Sequence, residues 1–184
     1  MRRTTLVCAL SAFGMSLLFG ANAVAKDDDK GKGKGQDSIR VHLKGFEEVP
    51  VVVTDAAGDV DLDIDDTAPS IAYQLTYSGL EGNVTQSHIH VGQKSVNGGI
   101  VLWLCQTATN PAPPQAAATP QCPGPHGGTV SGTLTPSMLV PQTTQGIPAG
   151  AFADVLRAIR AGKAYANVHT NTSPGGEIRG QLPH

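Results

Sequence analysis

Apolar and polar residues alternate along most of the chain, which is the pattern of β-strands that bury one face. In the clearest run, residues 58–65, valine, leucine and isoleucine alternate with aspartate. Seven other segments share this period of two or are short apolar runs: residues 38–46, 70–77, 84–91, 100–104, 129–134, 164–170 and 177–182. Turn-forming residues separate the segments, as in residues 171–176, Asn-Thr-Ser-Pro-Gly-Gly.

The hydrophobic period changes once, before the last two strands. Four apolar residues recur at the i, i+3, i+4 and i+7 spacing of one helical face: Phe152, Val155, Leu156 and Ile159. Pro148 and Gly162 bound this segment in the order that helices prefer, which predicts a helix of about 12 residues. The pattern therefore predicts an all-β fold, an antiparallel β-sandwich or flattened barrel of about eight short strands, with one amphipathic helix before a C-terminal hairpin.

The two ends of the chain differ in composition from the part that alternates. Residues 1–25 combine a positive start, a short apolar core and small residues before Ala25, which predicts a secretory signal cleaved after Ala25 or Ala23. Residues 26–37 form a charged leader rich in glycine and lysine. We therefore expect a periplasmic or secreted domain over residues 38–184, without a later transmembrane segment.

Export changes the interpretation of the cysteines. Cys105 and Cys122 remain after cleavage, and an even number of cysteines in an exported chain favours a disulfide. It would close the Pro- and Gly-rich loop at residues 105–128 and contribute on the order of 3 kcal/mol. The alternative is a pair of thiolate metal ligands.

Candidate chemistry lies in two histidine segments. His88 and His90 share one face of a predicted strand, and such a pair can chelate copper or zinc. His169 is a third candidate ligand if the terminal hairpin pairs with that strand. Glu177 is then a fourth ligand or an acceptor for an imidazole N–H. Nitrogens about 3–4 Å apart would fit one ion. The alternative is purely structural: the histidines form hydrogen bonds, and Glu177 and Arg179 form an ion pair.

Other chemistries find less support in the sequence. The aspartates of residues 59–65 stand about 7 Å apart along one strand face, which indicates a solvated row more than a calcium cage. The net charge of −2 and the absence of a basic stripe with aromatics argue against nucleic acid as a partner. No nucleophile elbow or phosphate-binding glycine loop is present, so no catalytic residue is predicted. His42 and His126 are isolated, and His184 is terminal.

Three segments in this order resemble a known family: Ser-His-Ile-His at residues 87–90, Asn-Val-His-Thr at 167–170 and Gly-Gly-Glu-Ile-Arg-Gly-Gln-Leu at 175–182. They look like the CHRD domain, first described in chordin and also found alone in exported bacterial proteins. The resemblance covers residues 38–182. It implies an extracellular β module with a binding or structural role and an unidentified protein or metal partner. Chordin's ligand-binding cysteine-rich modules are absent.

A shorter resemblance concerns His-Ile-His-Val-Gly at residues 88–92 alone. It is similar to a metal strand of copper/zinc superoxide dismutase. The bridging histidine and the metal-binding aspartate of that family are not evident here. The resemblance therefore implies a redox enzyme only as a third alternative, after a binding module and a copper- or zinc-binding protein.

Overall fold

Eight antiparallel β-strands and one α-helix make up residues 36–183, the part of the chain that our computed structural model describes. The strands are β1 (Gln36–Lys44), β2 (Ala57–Asp65), β3 (Ser70–Ser78), β4 (Val84–Val91), β5 (Gly99–Cys105), β6 (Gly128–Leu134), β7 (Ala164–Thr170) and β8 (Ile178–Gln181). The helix, α1 (Phe152–Arg160), comes between β6 and β7. The predicted all-β class and the single helix before the final hairpin are confirmed.

All eight strands belong to one sheet, in the order β5-β4-β7-β8-β1-β2-β3-β6. β1, β2 and β3 form a meander with nine paired positions at each of its two interfaces. The ends of the order, β5 and β6, lie beside each other. The Tyr73 hydroxyl of β3 also donates a hydrogen bond to the Leu104 carbonyl of β5 at 2.6 Å. The sheet therefore curls into a nearly closed barrel.

The barrel interior is filled by the alternating apolar residues that the sequence pattern singles out. β3 buries every second residue from Ile71 to Tyr77, and β2 does the same from Gly58 to Ile64. Helix α1 packs its apolar stripe into the same core, at the four predicted positions. Full burial of one such side chain stabilises the fold by about 1.5–3 kcal/mol.

Two boundaries differ from the sequence prediction. β1 begins at Gln36, inside the predicted leader, and Asp37 is tied to α1 by the Arg160 guanidinium at 2.6 Å. Helix α1 has nine residues instead of about 12, because the chain turns at Gly162, which has a positive φ of 65°. The predicted signal peptide, leader residues 26–35 and His184 lie outside the described residues. Within residues 36–183, no helix has the length and apolar composition for a bilayer crossing.

The predicted disulfide between Cys105 and Cys122 is formed. The loop that it closes is organised from within by the buried Gln106 side chain. Its Nε2 donates to the Thr119 carbonyl at 2.5 Å, and its Oε1 accepts from the Ala112 N–H at 2.7 Å. One amide thus replaces the apolar packing that this segment lacks.

Candidate metal centre

Two neighbouring strands bring the three predicted histidines together. β4 and β7 pair antiparallel, with His88 opposite Asn167 and His90 opposite Tyr165. Because alternate residues of a strand share a face, these four side chains and His169 project from one side of the sheet. The residues between them point into the apolar core. The condition for His169 as a third candidate ligand, that the terminal hairpin pairs with the strand of His88 and His90, is met.

The histidine-bearing face is on the outside of the barrel, yet it is buried. Every residue of β7 is buried on both faces. Three loops cover this face, and they contribute Glu48, the Gly98 carbonyl and the Pro174 carbonyl. The loops are residues 45–56, 92–98 and 171–177. His88 is fully buried, and His90 and His169 are each 6% exposed.

The nitrogen atoms of the three rings face one another. His88 Nδ1 lies 3.2 Å from His169 Nε2. One ligand nitrogen from each of the three rings can be chosen so that all three lie within 4.8 Å of one another. Among the described residues, no other group of three histidine, cysteine, aspartate or glutamate side chains brings its ligand atoms this close together. The structure therefore assembles a cluster that could hold a metal ion, which we call the histidine cluster (His88, His90 and His169).

The outward nitrogens of two rings are fixed by backbone carbonyls. His90 Nδ1 lies 2.9 Å from the Gly98 carbonyl, and His169 Nδ1 lies 2.9 Å from the Pro174 carbonyl. Since a carbonyl can only accept, each Nδ1 carries the proton and each Nε2 presents a lone pair to the cluster. Metal-binding histidines commonly have this arrangement, in which the second nitrogen donates to a carbonyl.

Asn167 completes the cluster and was missed by the sequence analysis. Its Oδ1 lies 3.1 Å from His90 Nε2 and 3.0 Å from His169 Nε2. This carbonyl-type oxygen faces two lone-pair nitrogens, and the one ring nitrogen that can donate to these three acceptors is His88 Nδ1, next to His169 Nε2. In addition, His88 Nε2 is buried with no hydrogen-bond partner. Unpartnered buried polar atoms are costly, so the cluster calls for a further positively charged or donating group.

Aromatic rings enclose the histidine cluster on two sides. The Trp103 ring of β5 meets the His88 ring edge to face, with centroids 4.2 Å apart. The Tyr165 ring stacks on His90 with centroids 4.6 Å apart and planes 7° from parallel. The Arg179 guanidinium lies over the Tyr165 ring, 3.4 Å from the ring centroid. These contacts fix the orientation of the His88 and His90 rings.

Burial keeps the imidazoles neutral. It lowers the pKa of His88 well below the usual range, and the neighbouring rings of His169 and His90 lower it further. Burial also lowers the pKa of His90 to about 4 and lowers the pKa of His169. Neutral imidazole is the form that binds metal ions, so at neutral pH the rings require no deprotonation to bind.

A buried carboxyl group, Glu48, lies next to Asn167 and was also missed. Burial raises its pKa to about 7, while the Arg179 charge and hydrogen bonds from the Val49 N–H and the Asn167 amide act in the opposite direction. It reaches this position from the loop after β1, a segment whose sequence predicts only a break in the strand. Nothing in the local pattern marks Glu48, because its burial depends on contacts distant in sequence.

Glu177 and Arg179 do not form the ion pair that the sequence offers as an alternative, because each side chain has other partners. The Glu177 carboxylate accepts hydrogen bonds from the Thr54 and Thr170 hydroxyls at 3.2 and 2.8 Å and from the Glu81 N–H at 2.7 Å. The Arg179 guanidinium donates to loop 92–98, to Asn97 Oδ1 and the Val96 carbonyl. Among residues 36–183 no ion pair joins the two, and Glu177 is not part of the metal-ligating group.

The remaining sequence candidates lie elsewhere. His42 is exposed on β1 and contacts Asp59 at 3.2 Å, and His126 lies 2.9 Å from the Leu80 carbonyl. The aspartates of β2 lie on the barrel exterior, with Arg40 between Asp59 and Asp61. They form a row along the strand, as the alternation predicts.

The fold and the cluster define a class: a nearly closed antiparallel barrel with a buried histidine cluster on its outer face. The sequence comparison makes this more specific, because residues 39–182 match the CHRD domain. The chain therefore belongs to the CHRD domain family, and the family resemblance predicted from the histidine segments is confirmed. No curated protein and no solved structure matches the chain.

Proposed function

We propose that this protein is an exported metal-binding CHRD module, which holds one copper or zinc ion at His88, His90 and His169. The observation that carries the proposal is the convergence of three neutral, buried imidazoles, two of them with the outer nitrogen bonded to a backbone carbonyl. Imidazole nitrogen is a preferred ligand of both metals.

The distances fit an ion after movement of one ring. Three ligands that are each about 2.1 Å from one ion and evenly spaced around it are at most about 3.6 Å apart. The separation of 3.2 Å between His88 Nδ1 and His169 Nε2 meets this limit, and the full set lies within 4.8 Å. A shift of one ring nitrogen by roughly 1.2 Å closes the difference, which is within the reach of a side-chain rotation.

Asn167 supports the same assignment. Its Oδ1 faces the lone pairs of His90 and His169, an arrangement that a cation would stabilise. A bound ion would supply the positive charge that these acceptors lack. It would make the module a carrier or a sensor of the metal, and we assign no reaction to it.

A second candidate is a structural role without metal. The specific observation in its favour is the position of Asn167 within hydrogen-bond distance of both His90 and His169. With the amide turned over, its NH₂ group would donate to both rings and link β4 to β7. The cluster would then act as a hydrogen-bonded staple in a protein-binding module.

Metal titration separates the two candidates. The purified protein is titrated with Cu(II) and with Zn(II) beside a His88→Ala/His90→Ala variant and a His42→Ala control, which removes an exposed histidine. We expect binding of one ion per chain, unchanged in the control and weakened at least about 100-fold in the double variant. Affinity no tighter than micromolar in the wild type would leave only the structural role.

Export is the other part of the proposal. It rests on the signal-like residues 1–25 and is supported by the Cys105–Cys122 disulfide, since disulfides persist in oxidising compartments. Mass spectrometry of the protein from fractionated cells tests it. We expect a periplasmic or secreted chain that begins at Val24 or Lys26, and an intact cytoplasmic chain would contradict export.

A further inference from the structure

A cavity opens to the surface beside the histidine cluster. It has a volume of about 270 Å³ and lies between residues 48–52 on one side and Ser173, Gly175 and Gly176 on the other. Residues 48–52 follow β1, and the three others precede β8. The cavity therefore lies at the junction of two of the loops that cover the cluster.

Glu48 forms the inner part of this cavity wall. The residue is 5% exposed, and its Oε1 is buried without a hydrogen-bond partner. Gly176 packs directly against it: a Cβ at this position would overlap Glu48 Oε1 and lie 2.8 Å from Asn167 Nδ2. A cation that enters from the cavity would stabilise this buried carboxyl oxygen, which has no hydrogen-bond partner.

Polar groups continue from Glu48 to the imidazoles. The Asn167 Nδ2 and the Glu48 carboxyl group both lie next to Gly176 on one side, and the Asn167 Oδ1 reaches His90 Nε2 and His169 Nε2 on the other. In contrast, Trp103 and Tyr165 cover the cluster on other sides, and the apolar core lies beneath the strands. A divalent cation loses its hydration at a large free-energy cost unless polar ligands replace the water. The polar groups on the Glu48 side therefore offer a cation a route from the cavity to the imidazoles.

We propose that Glu48 is the access carboxylate of the histidine cluster: an incoming Cu(II) or Zn(II) ion binds first to Glu48 at the cavity wall and then passes Asn167 to the imidazoles. The proposal rests on the metal-binding function proposed above. It assigns to Glu48 a role in the rate of metal exchange, whereas His88, His90 and His169 determine the affinity.

A kinetic experiment tests this role, because the chain contains a single tryptophan next to the cluster. Cu(II) bound by His88 quenches the fluorescence of Trp103, so stopped-flow mixing with Cu(II) gives the association rate. Mixing the loaded protein with excess chelator gives the dissociation rate. The variants are Glu48→Gln, which keeps the shape and removes the charge, and Glu48→Asp, which keeps the charge.

The matched control is Glu47→Gln. Glu47 is the neighbouring carboxylate on the same loop, but it is partly exposed and pairs with Lys94 at 3.3 Å. At a pH well above the Glu48 pKa of about 7, at which the experiment is run, the control therefore changes the net charge of the loop equally without altering the cavity wall. Thermal unfolding of each variant verifies that it is folded.

We expect Glu48→Gln to slow association and dissociation together by about tenfold, which leaves the Kd unchanged. Glu48→Asp should recover part of the rate, and Glu47→Gln should match the wild type. Equal rates in Glu48→Gln and Glu47→Gln would overturn the access role. So would a weaker Kd caused by faster dissociation alone, which would place Glu48 in the bound site.

The wild type separates failure of this role from failure of the proposed function. Quenching that saturates at one ion and is lost in the His88→Ala/His90→Ala variant establishes the site, whatever Glu48 does. The absence of such quenching would overturn the metal-binding function, and the access role with it.

Discussion

Burial determines the protonation of single residues in the histidine cluster. The pKa of His90 falls to about 4 because its ring lies between β4, β7 and the loop that carries Gly98. The pKa of Glu48, only one contact away from the cluster, rises to about 7 for the same reason. Opposite shifts follow because burial penalises the charged form, which is the acid form of histidine and the base form of glutamate.

The lowered pKa of His90 predicts acid sensitivity of the metal-free protein. A histidine whose pKa is depressed by folding contributes stability above its unfolded value of about 6.5, and this contribution is lost as the pH falls towards 4. For His90 the loss is about 3 kcal/mol. Urea unfolding in chelator between pH 7.5 and 4.5 measures it.

The variants for this measurement are His90→Gln and the exposed His42→Gln. We expect a flatter decline of the unfolding free energy with falling pH in His90→Gln, and a wild-type decline in His42→Gln. Identical pH profiles for His90→Gln and the wild type would show that His90 is not held neutral by the fold.

The residues of the cluster differ in how far the sequence reveals them. His88, His90 and His169 stand out because histidine is an uncommon residue and the strand period places them on matching faces. Asn167 lies two residues before His169 and therefore on the same strand face. This position was the sequence signal that could have identified Asn167 as part of the cluster. Glu48 gave no such signal, because it comes from a loop whose path depends on β8 and loop 171–177.

At the scale of elements, loops hold the outer face of the barrel closed, and Glu177 anchors two of them to the end of β7. Its carboxylate joins Thr54 from the β1–β2 loop, the Glu81 and Gly82 N–H groups from the β3–β4 loop, and Thr170 at the end of β7. The sequence predicts Glu177 as a candidate metal ligand or half of an ion pair. Instead it replaces the missing apolar contacts of these loops with hydrogen bonds to a charge, which are stronger than neutral ones.

Glu177→Gln should therefore destabilise the protein by about 2–3 kcal/mol, because an NH₂ group would face hydrogen-bond donors in place of an acceptor. Chemical unfolding at pH 7 measures the change. Glu81→Gln is the control, since the Glu81 residue is exposed and its backbone N–H is retained. A loss below about 0.5 kcal/mol in Glu177→Gln would contradict the anchoring role.

At the scale of the whole molecule, the cluster connects two strands that are far apart in the sequence. β4 and β7 are neighbours in the sheet although about 80 residues separate their histidines in sequence. An ion bound across them would be lost on unfolding, so binding and global stability are linked.

This linkage predicts a higher melting temperature with metal. An ion at 100 times its Kd stabilises the folded state by about 2.7 kcal/mol, which corresponds to roughly 5–10 °C for a domain of this size. Calorimetry with Zn(II) and with chelator measures the shift. The His88→Ala/His90→Ala variant should melt at the same temperature in both conditions, and a shift that persists there would place the ion elsewhere.

The sequence by itself determined the strands, the helix and the shared face of His88 and His90, because hydrophobic period and turn residues are local properties. It favoured the disulfide through the even number of cysteines in an exported chain, and the structure decided against the thiolate alternative. The tertiary structure decided that the outer face of β7 is buried, that Asn167 and Glu48 join the cluster, and that Glu177 binds loops. Those outcomes depend on which loops fold over which strands. Burial by distant segments leaves no period in the sequence, so only the assembled barrel shows it.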